Sequence, residues 1–151
     1  MIKTPATNTP ATPPTGLADS ASLIPFPRYQ SEAHVQSRLL HDLDTMLKDT
    51  PYTVCAEVRA YPTPQAIARA KLRGHTARKK RLDLVIFSTN AIAIIEVKRE
   101  PSLYSAYHKA DVNRATKQTR EYREYGIPVL LCWGSEEIDQ TLSQVRTIIG
   151  V

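Results

Sequence analysis

The chain has 151 residues, 42% of them apolar, enough for one domain around a single hydrophobic core. Its 20 Lys and Arg against 15 Asp and Glu give a net charge of +5, so polyanions are admissible partners. No apolar run reaches the roughly 20 residues of a membrane span, and the cysteines and the four histidines show no zinc-ligand spacing.

Residues 4–15, TPATNTPATPPT, contain no core-forming side chain, so residues 1–27 are expected to form a disordered Thr/Pro-rich tail and residues 28–151 the folded domain. That beginning has no apolar stretch of the signal-peptide kind. Cys55 and Cys132 read as buried free thiols of a reducing compartment, and a cytoplasmic protein is expected.

From Ser31 to Lys48, apolar residues fall at Val35, Leu39, Leu43, Met46 and Leu47, which predicts a helix capped by Ser31 and stopped before Pro51. YTVCAEVRAYP predicts a strand, ended by Pro62 and Pro64. Residues 65–80 are polar and basic and read as a loop. LDLVIF and AIAIIEVK predict two further strands joined by a tight Ser-Thr-Asn turn. The second is apolar on both faces, as in a central strand covered from both sides. Residues 102–125 read as a helix ended by Gly126 and Pro128, IPVLLCW as a fourth strand, and residues 136–148 as a last amphipathic helix. The order α-β-β-β-α-β-α predicts an α/β sandwich around a mixed four-stranded sheet, its last strand placed in parallel by a helical crossover.

The most apolar stretch, RLDLVIFSTNAIAIIEVKRE, carries Asp83, Glu96 and Lys98. Burying an unpaired charge costs several kcal/mol or forces the group to neutralise. Alternation puts Glu96 and Lys98 on one face of their strand with Ile92 and Ile94. Pairing around the Ser-Thr-Asn turn sets residues summing to about 178 or 179 opposite one another, which brings Asp83 beside Glu96. Two carboxylates so placed repel unless a cation lies between them. A hydrated Mg²⁺ is one answer, since it is commonly held by one or two carboxylates plus phosphate oxygens. Lys98 on the same face can orient or deprotonate a water and stabilise developing phosphate charge.

Asp83, twelve intervening residues, then Glu96-Val97-Lys98 resembles the core of the PD-(D/E)XK nuclease superfamily, with Leu82 where the family name has Pro. The resemblance extends over about residues 29–134. Glu32, three residues before Val35, is expected on the inward face of the first helix, where the family often places an acid. Gln118 and Tyr122, one turn apart, match the Gln-x-x-x-Tyr motif of the RecB-type branch. YGIPVLLCWG is similar to the segment that follows that motif in the nuclease domains of type I restriction subunits.

The resemblance implies a restriction-endonuclease-like fold and metal-dependent endonucleolytic hydrolysis of DNA. Asp83, Glu96 and Glu32 would then hold Mg²⁺, with Mn²⁺ as a substitute. Lys98 would position the attacking water, and Gln118 and Tyr122 would support the site or the substrate. The acid-free stretch between Val58 and Leu82 supplies Arg69, Lys71, Arg73, Arg78, Lys79, Lys80 and Arg81 as phosphate contacts at the mouth of that site. A homodimer would provide two active sites for two strands, with Tyr104, Tyr107 and Trp133 as candidate interface aromatics.

Each residue also has an ordinary structural use. Glu96 and Lys98 could form a salt pair at a strand end, Asp83 a strand cap beside Arg81, Glu32 a helix-dipole acid, Gln118 a surface residue and Tyr122 core packing. Three rivals stand beside a general endonuclease: a Holliday-junction resolvase, a sequence-specific restriction or homing enzyme, and a non-catalytic DNA-binding member of the fold.

Overall fold

A computed structural model describes residues 31–100 and 105–151. The expected tail and Tyr104 lie outside those residues. In chain order the elements are α1 (Glu32–Leu47), β1 (Thr53–Ala60), α2 (Pro64–Leu72), β2 (Lys80–Phe87), β3 (Ala91–Lys98), α3 (Ser105–Arg123), β4 (Val129–Trp133) and α4 (Ile138–Ile149). A 3₁₀ turn at Ser135–Glu137 leads into α4. The sheet runs β1-β2-β3-β4, antiparallel except for the parallel pair β3–β4 that α3 connects. The architecture is therefore α/β, with a mixed four-stranded sheet flanked by helices.

Helix α1 forms for the expected reasons. The Ser31 side chain accepts the His34 N–H at 3.2 Å, and Val35, Leu39, Leu43 and Leu47 make one buried stripe. That stripe meets Leu84, Ile86, Ala93, Ile95 and Val97 of the sheet and Val145 of α4. The opposite face of the sheet carries Val85, Ile94 and Leu82 under Tyr122 of α3. Helix α3 ends where Gly126 takes φ +82° and returns its N–H to the Arg123 carbonyl at 3.0 Å.

Two expectations are corrected. Residues 65–80 are not all loop, because Pro64–Leu72 form α2. The Thr63 hydroxyl accepts the Ala66 N–H at 3.1 Å, and Pro64 occupies the first turn, where its missing N–H costs nothing. Helix α2 buries no residue, and Ile67 and Leu72 stay exposed, so no apolar stripe announced it. Cys55 is exposed, whereas Cys132 is buried. Strand β1 lies at the sheet edge and leaves alternate residues uncovered.

The sheet forks where the charged residues lie. Pairing of β2 with β3 runs from Phe87↔Ala91 to Leu84↔Ile95. Beyond that point β2 stays with β1 as far as Ala60↔Lys80, while β3 continues beside β4 to Lys98↔Trp133. Leu84 packs toward α1 but Leu82 packs toward α3, so β2 turns over at Asp83. Strand β1 does the same between Ala56 and Val58, around Glu57 at φ +57°. A left-handed conformation for a residue with a Cβ costs roughly 1–2 kcal/mol. Gln36 of α1 braces the distortion, donating to Glu57 Oε2 at 3.1 Å and to the Asp83 carbonyl at 3.4 Å.

Candidate active site

At the fork, β3 loses β2 as its ladder partner, and the Asp83 side chain takes over. Asp83 Oδ2 accepts the Val97 N–H at 2.8 Å, satisfying a donor that a sheet would otherwise have paired. This fixes the Asp83 carboxyl against β3 beside Glu96, as the pairing arithmetic anticipates. Glu96 follows Ile94 on the α3 face of β3, and its side chain is only 5% exposed.

Glu96 is held by few favourable contacts. Lys98 Nζ lies 3.4 Å from Glu96 Oε2, while Oε1 is buried without a donor among the described residues. Burial first, and the Asp83 charge second, push the Glu96 carboxyl from 4.5 up to about 7, against the opposing pull of Lys98. A carboxyl so placed stores repulsion that a cation would relieve.

Lys98 Nζ also donates to Gln118 Oε1 of α3. Tyr122, one helical turn beyond Gln118, is 4% exposed in the core beneath α3. Burial, reinforced by the Glu96 and Asp83 charges, raises the Tyr122 phenol well above its usual range, so it stays a neutral hydrogen-bonding group. The fold thus brings Asp83, Glu96, Lys98, Gln118 and Tyr122 together, with the last as a support and not a surface contact.

Glu32 departs from expectation. It is exposed in the first turn of α1, not part of the inward stripe. It lines a small cavity with Lys98, Arg99, Asp111, Arg114 and Trp133. Among the described residues, no three His, Cys, Asp or Glu side chains are gathered as a metal-ligand set. The chemistry that fits a dication is the Asp83–Glu96 pair with its donorless oxygen, which suits an ion completed by water and phosphate oxygens.

The basic segment divides into engaged and available groups. Arg69 grips Glu124 through both guanidinium nitrogens at 2.6 and 2.9 Å, tying α2 to the turn just after α3. Glu124 is thereby held below the usual carboxylate range. Lys80 pairs with Glu121 at 3.3 Å, Arg81 with Glu57 at 3.2 Å, and Lys79 lies over the Tyr61 ring. Lys71, Arg73 and Arg78 are exposed and make no ion pair among the described residues. Arg73 and Arg78 border an open cavity of about 250 Å³ between α2 and α3.

Sequence reasoning missed the role of Asp111, a buried acid that binds Arg99 and Arg114. The spacing of Asp111 and Arg114 on one helix was its only signal. No helix among the described residues is long and apolar enough to cross a membrane. No protein-family model matches this chain, and searches of curated proteins and of solved structures find no match either.

Proposed function

We propose that the chain is a Mg²⁺-dependent deoxyribonuclease of restriction-endonuclease-like fold that hydrolyses phosphodiester bonds within DNA. The observation that carries this reading is the convergence of Asp83, Glu96 and Lys98 at the fork, with one Glu96 oxygen buried and without a donor among the described residues. A fold selected only for stability has no use for that repulsion; sites of charge chemistry do.

Asp83 and Glu96 would hold the ion, and Glu32 stands at the rim on the Lys98 side. When bound, Mg²⁺ polarises a phosphoryl oxygen and makes a water more acidic. Lys98 is oriented by Glu96 on one side and Gln118 on the other, so its ammonium is directed without a search over rotamers. It positions the attacking water and offsets charge that develops on the phosphate. Tyr122 packs in the core one turn along α3 from Gln118. Lys71, Arg73 and Arg78 contact phosphates away from the reaction centre, giving affinity without sequence information.

The test is a nicking assay on plain duplex and on a synthetic four-way junction, with Mg²⁺ and with EDTA. The wild type is expected to cut in Mg²⁺ alone, and Lys98→Ala to be slower by about 10²-fold or more. Equal cutting by both proteins would refute the assignment. Preferential cutting of the junction would direct the reading to a resolvase.

A further inference from the structure

Beside the reaction centre, α3 sinks one carboxylate under two arginines. The Asp111 side chain is 7% exposed; its Oδ2 lies 3.4 Å from Arg99 Nη2, and its Oδ1 accepts from Arg114 Nη2. The guanidinium groups themselves stay at the surface, with side chains 41% and 67% exposed. A salt bridge that only tied α3 to the end of β3 would need one cation. Here one acid is shared between two guanidinium groups. Both arginines, together with Lys98, border the small cavity on whose rim Glu32 stands. At about 50 Å³ that cavity admits a few waters or phosphate oxygens and is too small for a nucleotide.

We propose that Arg99 and Arg114 form a DNA phosphate subsite next to the scissile position, with Asp111 as the residue that positions them. The inference rests on the nuclease reading and deepens it. Arginine presents a planar fork that matches phosphate oxygens, and a fork already held by a carboxylate loses less freedom on binding. Arg99 and Arg114 line the same small cavity as Lys98, so the phosphate they meet lies close to the one at the reaction centre. The surface segment around α2 works differently, because Arg69, Lys80 and Arg81 each pair with an acid of their own.

The experiment is fluorescence anisotropy of a labelled DNA duplex in EDTA, where no cleavage is expected, titrated between about 50 and 200 mM salt. Arg114→Ala, an exposed change that the fold tolerates, is expected to weaken binding about tenfold. It should also make the slope of log affinity against log salt shallower by about 0.9, one phosphate contact. Asp111→Asn separates positioning from bulk charge. Removing a negative charge tightens DNA binding if only net charge matters, and weakens it if Asp111 orients the arginines. Asp111→Glu should restore part of the loss, with thermal melts confirming that each variant is folded. Unchanged affinity in Arg114→Ala, tighter binding by Asp111→Asn, or a wild type that does not bind DNA would each overturn the subsite. If Asp111→Asn does not fold, Arg114→Ala alone decides. A chain that binds through Arg114 yet never cuts in Mg²⁺ refutes the nuclease reading and leaves the subsite standing.

Discussion

Replacing Glu96 by Gln should stabilise the protein in the absence of metal, an unusual result for a change in a core strand. The folded-state carboxyl titrates at about 7 against 4.5 for the unconstrained group. Below 4.5 both folded and unfolded chains hold the proton, and this group contributes no difference. Between 4.5 and about 7 the unfolded chain releases the proton while the folded one keeps it, so stability falls as pH rises. Above that window the interval, at about 1.4 kcal/mol per pH unit, corresponds to a loss on the order of 3 kcal/mol. A glutamine side chain imitates the protonated acid and escapes that loss. Thermal melts in EDTA should show the variant and wild type close together near pH 5. They should diverge to about 10 °C in favour of the Glu96→Gln protein by pH 8. Adding Mg²⁺ should then raise the wild-type transition more than that of the variant, by linkage to binding. A Glu96→Gln protein that melts at or below wild type at pH 8, or a pH-independent gap, would refute the claim that burial and the Asp83 charge raise the Glu96 carboxyl.

Leu39 is fully buried in the main core, and Leu39→Ala should cost about 2–5 kcal/mol in urea unfolding. Gly134 has φ +71°, and an added Cβ would lie 3.2 Å from Glu100 Cγ and 3.3 Å from its Cα. Gly134→Ala should therefore lose about 1–3 kcal/mol of stability by the same measurement. Arg69→Ala should lower the melting temperature and leave DNA affinity nearly intact, because Arg69 is spent on Glu124. Arg78→Ala should do the reverse, with unchanged melting and a shallower salt dependence of DNA binding.

Helix α1 was legible because its stripe obeys one period and Ser31 supplies a cap. The hairpin register was legible because a short turn leaves few ways to pair two strands, and Leu84↔Ile95 falls on the expected sum. Helix α2 escaped because helix prediction leans on a buried face, and this helix has none; its signal was the Thr63-Pro64 start followed by an Ala-rich run. Glu32 was misplaced because periodicity assigns a face without saying where along the helix packing begins. The Arg99–Asp111 pair could not be read, since the two residues meet only once α3 has folded back over the sheet. The left-handed Glu57 had no local cue either, because Glu does not favour that conformation.

The parting of β2 from β3 distributes the two carboxylates over separate pieces of structure. Asp83 travels with the β1–α2–β2 arm, whereas Glu96 and Lys98 are riveted to β4 and the helical layers. Among the described residues the Asp83–Val97 hydrogen bond and the neighbouring ladder span the gap, and the Arg69–Glu124 and Lys80–Glu121 pairs tie the arm to the α3 side. A shift of that arm would therefore alter the spacing of the two carboxylates, and the Arg69–Glu124 clamp restrains it.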